Sequence, residues 1–227
     1  MFEGFPKDAI KFLRQLAQNN DRAWFAEHKP RYEQLVLNPA LALVEAMQGP
    51  LKKVSPFFTA VPKRSGGSIM RIYRDTRFSK DKTPYKTNLG IQFRHEAGKD
   101  VHAPGFYLHV SPQEIFLGAG IWRPDNPTLN KIRFLIDDAP ARWKRVKNAK
   151  TFKASYELVG GSLKRPPRGY EANHPLLEDL KRKDHIGLTS LTEAELTSPQ
   201  LIDRMAKEFK IAMPYVRFLC DAIPLPS

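Results

Sequence analysis

The chain has 227 residues, of which 41% are hydrophobic and 11% aromatic, a composition that excludes a disordered protein and suits one domain spanning residues 1–227. Its one cysteine, Cys220, excludes an internal disulfide and a thiolate-rich zinc site. The sequence has no apolar run of the roughly 18–20 residues that span a bilayer and no secretory pattern at its N-terminus, so we expect a cytoplasmic protein with no membrane partner.

The formal net charge of +13 is concentrated in two segments. Residues 63–99 hold ten cations and three acids, and residues 142–168 hold nine cations and one acid, while the rest of the chain is close to neutral. Local positive charge of this kind predicts a phosphate-bearing ligand, a polyanion or an acidic surface as partner. The alternative is a proteome that favours lysine and arginine on solvated faces.

Residues 1–60 have a helical pattern. Apolar residues recur at helical spacing over residues 9–16, and Asp21 is placed to cap a second helix. Pro30 predicts a break or a new first turn, and Asn38-Pro39 predicts the start of a third helix. Gly49-Pro50 and Ser55-Pro56 mark the predicted far end of that helix.

Residues 65–122 have a strand pattern. Residues 69–74 are rich in β-branched and aromatic side chains, and apolar residues alternate with other residues over 89–93 and 106–110, followed by Ile115 and Leu117. This period of two, with short connections, predicts an antiparallel sheet with one face on a core and the other available to a ligand.

Residues 126–227 are mixed but mainly helical. We predict helices near residues 128–137, 140–149 and 176–183, an extended piece near 156–163 and an edge strand at 186–191. Ser198-Pro199 predicts the start of a long helix that ends near Ile223. The predicted fold is therefore α+β, with a central antiparallel sheet and helices grouped at the N- and C-terminal ends.

The densest charge lies in residues 71–86, where cations are interleaved with aromatic, hydroxyl and acidic residues. Arginine suits bidentate capture of phosphate or carboxylate, and lysine adds mobile point charges. We therefore predict ligand contacts from Arg71, Arg74, Arg77, Lys80, Lys82 and Lys86. Asp75 and Asp81 are themselves anionic and cannot bind an anion, so we expect them to orient the arginine and lysine side chains that contact the ligand. A salt-bridged hairpin that only satisfies its own charges is the alternative.

The loop at residues 165–170 is a second candidate contact. Arg168 lies between a proline pair and a glycine, so it loses little conformational entropy when it binds a ligand. Tyr170 can stack on a base or a sugar. A rigid surface turn without a ligand explains the same residues.

The run SGGSIMRIYRDTRFSKDKTPYKT at residues 65–87 resembles the hallmark of the domain of unknown function 2461 family. Further similar motifs follow the family order and cover most of the chain: Asn19-Asn20, Trp24-Phe25, Tyr32-Glu33, PGFYL at 104–108, GAG at 118–120, PRGY at 167–170 and His174-Pro175. The resemblance implies an uncharacterised protein and supplies no activity, ligand or cofactor.

We predict no metal and no cofactor. His95, His102 and His109 are evenly spaced, but alternation along strands does not bring them together, and no glycine-rich nucleotide loop is present. A nuclease reading, with Asp75 and Asp81 holding a divalent cation, conflicts with the cations around both carboxylates.

Three functions remain open. The leading hypothesis is binding of a phosphate-bearing or polyanionic ligand, with nucleic acid favoured by the charge. The alternative is an enzyme acting on a small phosphorylated or carboxylated metabolite, with Asp75, Asp81 or His109 as proton carrier. In a third reading the motif is architectural, and its arginines are buried in ion pairs with Asp75, Asp81, Glu27 or Glu33.

Overall fold

The computed structural model describes residues 2–97, 103–223 and 225. Residue 99, the last of the first basic segment, and His102, one of the three evenly spaced histidines, lie outside the described residues. The N-terminal part consists of α1 (Asp8–Gln18), α2 (Arg22–Tyr32), one π-helical turn (Glu33–Leu37) and α3 (Asn38–Val54).

The second helix begins where the sequence predicts. The Asp21 carboxylate accepts a hydrogen bond from the Trp24 amide at 2.9 Å, which confirms the predicted cap. The prediction of a break at Pro30 was wrong, because helical structure continues through Pro30 and the π-helical turn into α3. Pro50 likewise lies inside α3, whereas the predicted end at Ser55-Pro56 is confirmed, because Ser55 is the C-cap of this helix. Buried Phe25 and Tyr32 hold α2 on the core, and this packing outweighs the hydrogen bond that Pro30 cannot make.

The strands form one six-stranded sheet in which every neighbouring pair is antiparallel, in the order β1-β2-β3-β4-β6-β5. Their bounds are β1 (Phe58–Thr59), β2 (Leu89–His95), β3 (Gly105–Val110), β4 (Ile115–Ile121), β5 (Glu157–Val159) and β6 (His185–Ser190). The predicted antiparallel sheet is confirmed. The prediction of an edge strand at residues 186–191 was wrong, because β6 lies between β4 and β5, and β5 forms the edge.

The remaining helices are α4 (Asn126–Asp138), α5 (Pro140–Lys147), α6 (Lys150–Ser155), α7 (Leu177–Leu180), α8 (Glu193–Leu196) and α9 (Leu201–Ala222). The α+β class, with helices before and after the central strands, is confirmed. Among the described residues, none of the helices combines the length and the apolar character that a membrane span needs.

One face of the sheet carries the core. Phe93 on β2 and Phe106 on β3 are fully buried, and both contact Phe209 of α9, with ring centroids 5.7 Å and 4.5 Å apart. Helix α3 packs beside α9. Among the described residues, a cluster of buried apolar side chains extends from Phe2 to Cys220. The opposite face of the sheet carries Tyr107 and His109.

Candidate anion-binding site

Residues 71–86 form an irregular hairpin, which we call the basic hairpin. The Lys86 amide donates to the Ile72 carbonyl at 2.7 Å, and the Arg74 amide donates to the Pro84 carbonyl at 2.9 Å. The regular strand predicted at residues 69–74 is reduced to single bridges, because Ile69 pairs with Ile91 of β2 whereas Tyr73 pairs with Tyr85. The segment changes its partner and so leaves the sheet.

The inner side of the basic hairpin packs on the helices. Ile72 and Tyr85 are buried, and the Tyr85 ring stacks on Phe25 of α2 with centroids 4.1 Å apart. Burial of these two side chains turns the hairpin's charged residues outward.

Both acids of the basic hairpin hold an arginine. Asp81 accepts a hydrogen bond from Arg74, which also donates to the Thr83 hydroxyl, and Asp75 accepts from Arg77 at 3.0 and 2.7 Å. The hydrogen bonds from Arg77 and Arg74 hold the pKa values of Asp75 and Asp81 at about 2, so both carboxylates stay ionised at neutral pH.

These ion pairs lie at the surface. The Arg77 side chain is 76% exposed, and that of Arg74 is 26% exposed. Glu33 pairs with Arg64, which lies outside the hairpin, at 3.1 Å. The architectural reading requires buried pairs, and surface pairs contribute little to stability.

Arg71 and Lys86 form a pair of like charges at the base of the hairpin. Arg71 is exposed and Lys86 is half-buried. Burial and the nearby Arg71 guanidinium lower the pKa of Lys86. Neither side chain has a hydrogen bond or an ion pair within the described part of the chain. Two cations without an acid between them attract an anion.

A cavity of about 730 Å³, which we call the hairpin cavity, separates the basic hairpin from the α1–α2 loop. Its cationic lining consists of Arg22, Arg74 and Lys82. Lys82 Nζ donates to the Thr76 carbonyl at 2.9 Å, which holds the ammonium group beside the cavity. The polar lining also includes hydroxyl groups of the basic hairpin together with the Asn20 amide and one acid, Asp21.

The structure thus brings Arg74 and Lys82 together and adds Arg22, which sequence reasoning did not select. Arg22 is the first residue of α2, and nothing in its local pattern distinguishes it from other surface arginines. Arg77 and Lys80 are exposed at the hairpin tip beside Phe78, which is 96% exposed. The Arg77 guanidinium lies 5.8 Å from the centre of the Phe78 ring.

Arg168 and Tyr170 line a different cavity of about 930 Å³, which we call the Arg168 cavity. Gly169 between them has φ +91°, a left-handed conformation that a side chain would strain. Arg123, Arg133 and Lys183 add three more cations to this lining, and sequence reasoning selected none of them.

Arg133 forms the back of the Arg168 cavity. It is buried, its Nε donates to the Leu180 carbonyl at 2.7 Å, and burial lowers its pKa. The buried carboxylate of Asp184, also in the lining, accepts hydrogen bonds from the Arg123 and Gly161 amides. The cationic side chains of the lining outnumber this one acid, so the cavity has a net positive charge.

The predicted ligand contacts thus occupy two surfaces. The basic hairpin lies beside the outer edge of β2, and the 165–170 loop follows β5 at the opposite edge of the sheet. Each surface has its own cavity and its own exposed aromatic side chains, with Tyr73 and Phe78 on one and Trp122 and Phe134 on the other.

The histidines do not converge. His95 is buried beside Phe58, whereas His109 stacks on Phe116 on the other face of the sheet. Within residues 2–97 and 103–223, no three histidine, cysteine or acidic side chains come together as metal ligands.

Comparison with known proteins identifies the family of this chain and no individual relative. Searches of curated proteins and of solved structures found no significant match. The family model described as conserved hypothetical protein (DUF2461) matches residues 8–218, so the match includes the basic hairpin, the sheet and the Arg168 cavity, and the chain belongs to the DUF2461 family.

Proposed function

We propose that this protein binds a phosphate-bearing polyanion at the basic hairpin, and that the polyanion is a nucleic acid. The observation that carries the proposal is the hairpin cavity, where Arg22, Arg74 and Lys82 surround an open space of about 730 Å³. Arg74 donates to Asp81 and Thr83 through Nη1, and its Nε and Nη2 have no hydrogen-bond partner among the described residues, so these groups can donate to phosphate oxygens.

The shape and the aromatic residues of this surface favour a long ligand over a small one. Tyr73 is 54% exposed and lines the cavity, and Phe78 projects from the hairpin tip beside Arg77. Exposed aromatic rings among cations are what single-stranded nucleic acid binders use to stack bases and neutralise phosphates. The cations of the Arg168 cavity supply a second contact for a ligand long enough to cross the sheet.

Acid–base catalysis at the basic hairpin is less well supported. With pKa values of about 2, Asp75 and Asp81 cannot exchange protons near neutral pH. His109, the third candidate proton carrier, lies on the sheet face and does not line the hairpin cavity.

The test is the affinity for a labelled single-stranded oligonucleotide, measured by fluorescence anisotropy over a range of salt concentrations. Affinity should fall steeply with salt, because bound cations release counterions from the phosphates. Replacing Arg22 and Lys82 together by alanine should weaken binding about tenfold or more at low salt and reduce the salt slope by about 2. Both side chains are exposed, so the fold should persist.

The matched control replaces Lys52 and Lys53, two exposed lysines in the last turn of α3, by alanine. This variant loses the same net charge from outside the cavity and should bind almost as the parent does. Equal weakening of both variants would indicate only non-specific attraction. No binding at low salt would contradict the proposal.

A further inference from the structure

The face of the sheet opposite the core forms a second concave site, which we call the sheet cleft. It has a volume of about 550 Å³, within the range of small-molecule sites. Met70, Phe116, Ile186 and Leu188 supply its apolar walls. Its lining comes from five strands, β2 to β6, and includes the glycines Gly105, Gly118 and Gly120.

Gly118 keeps the floor open although packing does not require a glycine there. It lies in the middle of β4, between Tyr107 on β3 and Leu188 on β6. An added Cβ would meet only ordinary contacts, at 3.4 Å from Ile186 and Leu188 and 3.5 Å from Tyr107. Glycine weakens a strand, and one that packing does not need often marks a place where a ligand approaches the backbone.

Tyr107 and Glu114 form the polar end of the cleft, and His109, which is not part of the lining, lies beside both. The Tyr107 hydroxyl lies 3.3 Å from His109 Nδ1, and His109 Nε2 lies 4.0 Å from a Glu114 carboxylate oxygen. Stacking on Phe116, with centroids 4.6 Å apart, fixes the His109 ring. Burial raises the pKa of Tyr107 to about 12 and lowers that of His109, so at neutral pH both are uncharged hydrogen-bonding groups.

The other end of the cleft is cationic. Arg123 and Trp122 line both the sheet cleft and the Arg168 cavity, and the Arg123 guanidinium lies 5.7 Å from the centre of the Trp122 ring. Arg123 has φ +48°, and its amide donates to the buried Asp184 carboxylate at 2.8 Å, which fixes its backbone. The apolar cleft therefore opens toward the charges of Arg123, Arg168 and Lys183.

We propose that the sheet cleft binds an amphipathic organic anion: a flat, mostly apolar body with one anionic end. The body lies on Gly118 between Phe116 and Leu188, within reach of the Tyr107 hydroxyl. The carboxylate, sulfonate or phosphate group points to Arg123. This site is separate from the hairpin cavity, and its lining is mainly apolar with the positive charge at one end, so it suits a small molecule and not a polyanion.

Two fluorescent probes test the proposal on the full chain. Anilinonaphthalene sulfonate has a flat apolar body and one anionic group, and phenylnaphthylamine is its uncharged counterpart. We expect one site per chain and about tenfold tighter binding of the sulfonate, the size expected for one charge-assisted hydrogen bond. Replacing Gly118 by valine, a residue that suits strands, should weaken both probes by about tenfold or more.

Arg123→Gln should weaken the sulfonate to the level of the neutral probe and leave the neutral probe unchanged. The matched charge control is the Arg22 and Lys82 double alanine variant, which should bind both probes as the parent does. Circular dichroism checks that each variant folds. If Gly118→Val does not fold, Gly118→Ala takes its place, because the alanine Cβ fits without strain. With alanine we expect weakening of both probes by about threefold.

Unchanged binding of both probes to the folded Gly118 variant would place them elsewhere and overturn the proposal. Equal weakening of both probes by Arg123→Gln would show that the site has no cationic end that selects anions, which would also overturn the proposal. Failure of the Arg22 and Lys82 double variant to weaken the oligonucleotide concerns the hairpin cavity, which shares no cationic residue with the sheet cleft. The neutral probe and the Gly118 variants test the sheet cleft without an oligonucleotide, so the two proposals can fail independently.

Discussion

Asn20 holds both backbone groups of Tyr85. Its Nδ2 donates to the Tyr85 carbonyl at 2.9 Å, and its Oδ1 accepts from the Tyr85 amide at 3.1 Å. The Asn20 side chain thus makes the two hydrogen bonds that the backbone of a neighbouring strand would otherwise make. These bonds connect the basic hairpin to the α1–α2 loop. The arrangement gives the Asn19-Asn20 motif a physical role, because a side chain needs both a donor and an acceptor to satisfy the two groups.

Replacing Asn20 by alanine should cost about 1–3 kcal/mol of unfolding free energy, because two half-buried backbone groups lose their partners. Asn19→Ala is the matched control, since the Asn19 side chain donates an exposed hydrogen bond to the Gln15 carbonyl and does not hydrogen-bond to Tyr85. That change should stay within about 0.5 kcal/mol. Urea unfolding measures both values, and equal losses would show that the bonds to Tyr85 are unimportant.

His185 should make the protein sensitive to acid. Its side chain is fully buried, neither ring nitrogen has a hydrogen-bond partner among the described residues, and burial lowers its pKa to about 3. Between pH 6.5 and this value the unfolded chain binds a proton that the folded chain does not, so stability falls as the pH falls. The loss between pH 7 and pH 4 should be about 3 kcal/mol.

The measurement compares the parent with His185→Leu by denaturant unfolding at several pH values. Other groups titrate alike in both proteins, so the difference between the two curves reports His185 alone. As the pH falls, the unfolding free energy of His185→Leu should decrease less than that of the parent. If the two curves of unfolding free energy against pH were parallel, the folded protein would tolerate a protonated His185 side chain.

The buried carboxylate of Glu208 depends on one partner. Glu208 on α9 is 1% exposed and accepts a hydrogen bond from Arg204, one turn earlier, whose Nε also lies 3.2 Å from a Glu195 oxygen. Arg204→Met leaves this buried acid unpaired, and we expect a cost of about 3–5 kcal/mol.

The double variant Arg204→Met, Glu208→Leu should recover most of that loss, because it removes the buried charge together with its partner. Thermal or urea unfolding of the two single variants and the double variant completes the cycle. A double variant as unstable as Arg204→Met would show that packing, and not the orphaned charge, sets the cost.

Much of the sheet could be predicted because alternation is local. Leu89, Ile91 and Phe93 alternate with Gly90 and Gln92 in the sequence, and the first three are buried on the core face of β2. The position of β6 in the sheet could not be predicted in this way. It pairs with β4, whose residues lie about 70 positions earlier in the chain, and no local sequence pattern indicates which strand will be its neighbour.

The candidate site was predictable only where it is contiguous. Arg74 and Lys82 come from one segment, and their density of charge indicates an anion site from the sequence alone. Arg22, the first residue of α2, reaches the same cavity from a position far earlier in the chain. Arg123 and Lys183 likewise meet Arg168 only after β4, β5 and β6 have paired.

Helix α9 follows every strand in the chain, yet Phe209 on it covers the core face of β2 and β3. During synthesis, these strands leave the ribosome before the helix that shields them. Until then the nascent sheet exposes apolar surface that chaperones recognise and that promotes aggregation. A chain that stops before residue 201 should therefore accumulate as insoluble or chaperone-bound protein, even though every strand is present.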